Sequence, residues 1–347
     1  MAYTTVNDGS AHFQAALYTG NGSTKSVTFQ GNANLQPDIV WTKCRSTTSD
    51  HFLFDSTRGV TKQIHTNTGD PEGTNATSLT AFDSDGWSMG STGGMNTNAA
   101  TYVGWGWKAN GGTTSSNSDG SITSTVQANT TARLSIVTYT GNGSSGSTIG
   151  HGLSTVPELI IVKRLNSSSR SWPVYQTSMG TGTEMYLDLT QDDTTSNFWI
   201  TTPTTSVFSV SDSNYVNANS DTYVAYCFST CPGFSIFGSY QGNADTNGPT
   251  IFTGFKPAWV MIKRVDAAES WGIMDNIRNL FNIETRRLFS NNTSGDDTSE
   301  VGMDFLSNGF KIRNSWAGNN ASGGKYLYIA FASSPFTSSA GVPTTAR

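Results

Sequence analysis

Charge is scarce in this chain: Asp, Glu, Lys and Arg make up 13% of its 347 residues. Cysteine stands at three residues and histidine at four. Three cysteines cannot build a disulfide framework. The one close pair, Cys227 and Cys231, has no histidine near it to complete the four ligands of a zinc site. Cys44, Cys227 and Cys231 are therefore read as small buried thiols. A net charge of −5 argues against a basic nucleic-acid surface. No apolar run approaches the ~18 residues of a membrane helix. The opening residues, Met1 to Asp8, lack the basic segment followed by an apolar one that marks a secretory signal. What remains is mostly Gly, Ser, Thr and Asn, but with 9 Trp, 12 Tyr and 18 Phe. Disordered chains are poor in aromatics, so the composition predicts folded, loop-rich β structure.

The chain repeats itself three times. Tyr18-Thr19-Gly20-Asn21, Tyr139-Thr140-Gly141-Asn142 and Tyr240-Gln241-Gly242-Asn243 each lead to a proline and a short apolar run. The prolines are Pro37, Pro157 and Pro257, and a lysine stands six residues after each: Lys43, Lys163 and Lys263. Further on come an aromatic after a turn-like stretch (Trp87, Phe208, Phe310) and a closing strand read as starting at Tyr102, Tyr223 and Tyr328. The expected organisation is a leader (1–12), repeat one (13–109), a Gly/Ser/Thr/Asn-rich linker (110–131) read as flexible or extended, repeat two (132–231), repeat three (232–337) and a tail (338–347).

No copy shows a helical period. Short apolar runs alternate with Gly, Asn, Asp and Pro clusters, which predicts an all-β chain of three tandem antiparallel β-sandwich repeats, jelly-roll or lectin-like. Side chains alternate across a strand, so the closing strand has a bulky face (Val103, Trp105, Trp107; Val224, Tyr226, Phe228; Ile329, Phe331) and a bare one (Gly104, Gly106; Ala225, Cys227; Ala330, Ala332). The bulky face is expected to fill the core of its own sandwich. The bare face is expected to admit a close neighbour, a loop of the same copy in preference to a second chain.

Motifs that could carry chemistry are few. Gly318 to Lys325 departs from a phosphate loop at Asn319 and Tyr326. Asp83-Ser84-Asp85-Gly86 reads as a hairpin turn, not a calcium loop, because the later oxygen ligands are missing. Asp55/Arg58 recurs as Asp275/Arg278, with Tyr175 placed where copy two would carry the aspartate; the pair reads as a structural clasp, with a sugar or carboxylate site as the rival. Trp172 and Trp271 fall at equivalent positions, with His51 in copy one, and read as core. Trp199 and Trp316 have no counterpart and are the ligand-binding candidates, on loops 194–202 and 314–325. No catalytic residue, metal site or cofactor is assigned, and the chain is not expected to be an enzyme. A polysaccharide-degrading enzyme would need two carboxylates about 5–10 Å apart in a groove.

Phe13-Gln14-Ala15-Ala16-Leu17-Tyr18-Thr19-Gly20-Asn21-Gly22, Phe54-Asp55-Ser56-Thr57-Arg58-Gly59-Val60-Thr61-Lys62, Leu79 to Gly86, Thr222 to Phe228 and Asp304 to Lys311 resemble repeat-containing tail fibre or minor structural proteins of marine tailed bacteriophages, over nearly the whole chain. The resemblance implies a virion protein made in the host cytoplasm, a tail fibre or spike component touching the host surface. The alternative it leaves is a capsid decoration or tail-fitting protein without a ligand. Expected partners are other virion proteins, further copies of the chain in a homotrimer, and a host surface glycan or receptor; nucleic acid and membrane insertion are not expected.

Overall fold

The computed structural model describes residues 4–333 apart from 167–168, 196, 280 and 300–301. The tail 338–347 and the last residues of repeat three lie outside the described residues. The described residues form strands throughout, with a single-turn α-helix at Ala317–Asn320 and a 3-10 turn at Gly9–Ala11. The fold is all-β, and its strand ladders are antiparallel.

One strand order recurs. In the first unit the main sheet runs from the opening strand Phe13–Thr19 to the closing strand Thr101–Trp107, the proline strand Ile39–Cys44 and then Phe52–Asp55. The second repeats it with Leu134–Thr140, Thr222–Phe228, Leu159–Arg164 and Pro173–Gln176. The third has Ser235–Gln241, Lys325–Phe331, Trp259–Arg264 and Gly272–Asp275. Each unit adds a small second sheet that holds the aromatic landmark, in Gly86–Met89, Val207–Val210 and Gly309–Ile312. Asp83 and Gly86 close a tight hairpin, with Gly86 at φ 113°, as do Leu306 and Gly309.

The Tyr-x-Gly-Asn motif closes one end of each unit. The opening tyrosines stack on Tyr102, Tyr223 and Tyr326 at 5.0, 5.1 and 4.9 Å. The glycine is needed because a Cβ on Gly20, Gly141 or Gly242 would lie 2.1–2.4 Å from a carbonyl oxygen of the loop before the closing strand. The asparagine N–H donates to the side-chain oxygen of Asn96, Asn217 or Asn320. These pairs correct the register of copy three: Tyr326, not Tyr328, matches Tyr102 and Tyr223. Tyr328 falls at the bare position of Gly104 and Ala225, and it fits because the opening strand there is Gly238, whose Cβ would lie 2.6 Å from its hydroxyl. The lysines do match, facing Val103, Val224 and Leu327.

The two faces of the closing strand are used differently from the expectation. The bare face turns to the unit's own second sheet: Trp87 packs on Gly104 and Phe29 on Gly106. The bulky face turns away from it, into one core shared by all three units, where Trp41, Trp105, Trp107, Tyr226, Phe228, Trp259 and Phe331 meet. Trp259 touches Trp41, Trp105 and Trp107 with ring centroids 5.8–6.4 Å apart. Each sheet is thus covered on both sides, which is why the proline strands are apolar on both faces. Each aromatic buried there contributes roughly 1.5–3 kcal/mol. A central cavity of ≈ 50 Å³ remains, lined by apolar surface.

The stretch 110–131 is not a flexible linker. It contributes strand Ser124–Asn129, which pairs onto the opening strand Leu134–Thr140, and strand Ser115–Asn117, which pairs onto Ser124–Asn129 in turn. Its polar composition reflects a strand pair at a sheet edge, where Ile122 and Val126 are its buried apolar residues.

Candidate functional site

The units meet through buried polar contacts that repeat around a ring. Each lysine is fully buried and reaches two carbonyls, one in its own unit and one in a neighbour. Lys43 Nζ donates to Ser49 O (2.5 Å) and to Thr293 O of the third unit (2.8 Å). Lys163 donates to Arg170 O (2.8 Å) and Gly69 O of the first unit (2.6 Å). Lys263 donates to Glu269 O (2.8 Å) and Thr190 O of the second (3.0 Å). Burial pushes all three ammonium groups down to about 8.

A ring nitrogen crosses each boundary beside the lysine. Trp172 Nε1 donates to Thr68 O at 2.9 Å and Trp271 Nε1 to Tyr186 O at 2.8 Å. His51 takes this place in the first unit. Its Nδ1 accepts from Trp41 Nε1 (2.9 Å), so Nε2 carries the proton and donates to Phe289 O (2.7 Å). Trp172 and Trp271 are core residues, as the sequence predicts. First leans on third, second on first, third on second: the contacts a threefold rotation generates, here within one chain.

The Asp–Arg pairs belong to the same boundaries. Asp55 binds Arg58 at 2.6 Å and accepts from Tyr226 OH of the second unit at 2.7 Å. Asp275 binds Arg278 at 2.8 Å and accepts from Trp105 Nε1 of the first unit at 3.0 Å. Both pairs are buried and act as clasps. Strand register places Gln176, not Tyr175, at the equivalent position in copy two, opposite Leu159 as Asp55 is opposite Ile39 and Asp275 opposite Trp259. There Ile329 stands at the donor's position and Met179 at the arginine's, so acid, base and donor are replaced together.

The ligand-binding expectation for Trp199 is overturned. Trp199 is 3% exposed and packs on Tyr175 and Phe208 in the core of the second unit. Trp316 is half-buried, with the Arg287 guanidinium 3.6 Å from its ring centre and Gly318 pressed against the ring. Arg287 takes the ring face that a sugar would need.

The openings lie elsewhere. A cleft of ≈ 550 Å³ between the third and second units is lined by Ser178, Asp193, Ser239, Gln241 and Lys325 among others. A smaller one of ≈ 190 Å³ between the first and third is lined by Gln14, Gln30, Asn276 and Ile277. In the third unit, a pocket of ≈ 230 Å³ gathers Lys256, Asn276, Phe281 and Glu284. Glu284 is 3% exposed and its Oε2 has no hydrogen-bond partner. Burial, helped by Asp275 and opposed by Arg278 and Lys256, pushes its carboxyl up to about 8. Nothing in the sequence singled out Glu284, since no other copy has an equivalent acid. Among the described residues, no three His, Cys, Asp or Glu side chains come together as a metal-ion set.

Residues 8–335 match one family, described as a domain of unknown function (DUF7483), and the chain belongs to it. The match takes in all three units as a single module. No curated protein and no solved structure matches the chain.

Proposed function

We propose that this chain is a structural protein of a tailed-phage particle, a tail fibre or spike component that meets the host surface. The sequence resemblance spans the chain, and the observation that carries the reading is the closed ring of three like units around one core. Equivalent loops of a cyclic body face the same end of its axis, so three weak contacts reach one surface together and gain avidity. Loops held by a rigid sandwich are suited to that task. The bare strand face, where a second chain was the rival to a loop of the same copy, is filled by the unit's own second sheet. The homotrimer therefore rests on the resemblance alone.

A ring complete in one chain also suits a cap or decoration at a symmetry axis of the particle, the second reading. Gold-labelled antibody against the chain, imaged on intact particles, separates the two. Label at the tail tip, together with loss of adsorption when purified chain is added to cells, supports the fibre reading. Label over the capsid with adsorption unchanged replaces it with the decoration.

A further inference from the structure

The three inter-unit clefts are equivalent in construction but not in occupancy. Each is bounded by the opening strand of one unit and the turn after the fourth strand of its neighbour. Between units two and one the cleft is filled by the chain's own strand Ser124–Asn129, antiparallel to Leu134–Thr140. From that strand Gln127, fully buried, donates to Ser56 Oγ (3.0 Å) and Thr57 Oγ1 (2.8 Å) of the first unit's turn. The preceding residues cover the second sheet: Ile122 bridges to Ile149, and Asn117 lies where a Cβ on Gly150 would be 1.7 Å from its Oδ1.

Between units three and two nothing in the described chain fills this place. The strand Ser235–Gln241 ends its sheet. Ser235 exchanges both backbone hydrogen bonds with Cys231, at 3.1 and 2.9 Å, so its polar groups point away from the closing strand. Antiparallel alternation turns Phe237 and Ser239 the same way. The neighbouring turn carries Thr177 and Ser178, both exposed, at the register positions of Ser56 and Thr57. The hydroxyl pair that grips Gln127 is thus repeated without its ligand. Where Gly150 is covered by Asn117, the third unit has Phe252, 69% exposed. The remaining cleft, beside Phe13–Thr19, is partly closed by the first unit's own loop, through Gln14 bonds to Gly31 and Ala33.

We propose that the cleft between the third and second units receives an extended strand of a partner polypeptide, laid antiparallel on the open edge 237–241, beyond the Ser235–Cys231 pair. The chain's own insert defines its chemistry: a polar, β-branched segment of about six residues whose glutamine or asparagine enters the cleft toward Thr177 and Ser178, preceded by an apolar residue over Phe252. Main-chain pairing at the edge supplies affinity and the side-chain contacts supply selection. The proposal is independent of where the protein sits in a particle.

The probe is a labelled peptide with the sequence of residues 121–130, titrated into the intact protein. The expected result is saturable binding, weakened at least tenfold by Ser239→Pro, which removes an outward N–H while sparing the ladder to the closing strand. A peptide carrying Gln127→Leu should lose affinity by a similar factor, a control that leaves the protein untouched. Absence of saturable binding up to about 1 mM, a range weaker than useful recognition, or equal binding by the Leu peptide, overturns the proposal. Sedimentation of the protein alone supplies the other outcome: a dimer that Ser239→Pro converts to monomer makes the occupant a second copy and overturns the partner assignment.

Discussion

Tyr226 of the second unit donates a hydrogen bond from its hydroxyl to Asp55 of the first at 2.7 Å, and the same carboxylate oxygen holds Arg58 at 2.6 Å. A boundary between units is therefore sealed by a buried ion pair that needs a donor from across it. Asp55→Ala strips the pair and leaves Arg58 buried without its counter-charge, an expected loss of about 3–5 kcal/mol. Gln176→Leu, at the same register position in copy two, should cost only about 0.5–1.5 kcal/mol, because it forfeits one hydrogen bond, from Ser178 N–H to Gln176 Oε1, and no ion pair. Urea unfolding of the two variants measures the contrast, and equal losses would mean the clasp carries no boundary energy.

The buried lysines and Glu284 set opposite slopes of stability against pH. Glu284 is raised from 4.5 to about 8 in the folded protein. Its contribution is fully present below pH 4.5 and is lost as the pH rises through 8. The lysines are lowered from 10.5 to about 8. The unfolded chain then binds more protons between pH 8 and 10.5, so stability rises across that window. Melting curves of Glu284→Gln should differ from wild type by a pH-dependent amount only on the lower limb, and those of Lys163→Met only on the upper. A wild-type-minus-variant difference that is flat with pH on either limb contradicts the assignment for that residue.

Trp199→Ala should destabilise the protein by about 3–5 kcal/mol, as expected for a core tryptophan. Trp316→Ala loses a cation–π contact with Arg287 and a half-buried ring, an effect of about 0.5–2 kcal/mol from the cation–π part. Chemical denaturation distinguishes them. If Trp199→Ala unfolds at the wild-type midpoint, the indole is not part of the core.

The second unit expressed alone, residues 112–231, should not remain a soluble monomer. Ile136, Leu159, Ile161, Tyr226 and Phe228 are buried only in the shared core, and isolation exposes them as one apolar patch. Light scattering on the fragment reads this directly, and a stable monomer with wild-type strand content would show that the units stand by themselves.

The repeat, the strand class and the lysine register were legible because they follow from local pattern: proline, alternation and turn residues. The closing strand of copy three was misread by two residues because Tyr326 and Tyr328 both offer a tyrosine on a strand. A better marker was present, since Asn96, Asn217 and Asn320 each stand six residues before the true closing tyrosine. The bulky face was assigned to the wrong core because alternation says that two faces differ, not which neighbour covers each. Residues 110–131 looked like a linker because an edge strand needs backbone partners more than apolar side chains. Trp199 looked like a binding residue because departure from a repeat marks both private contacts and private packing. Glu284 left no trace because its environment is assembled from distant loops.

Small-angle X-ray scattering tests the closed ring most directly. A 347-residue chain folded as one body has a radius of gyration of about 20 Å, whereas three separate units in a row would give about 30 Å. The account predicts a value near the first for the single chain, read by extrapolation to infinite dilution. A value near the second, or a scattering curve of three beads with no fixed arrangement, would contradict it.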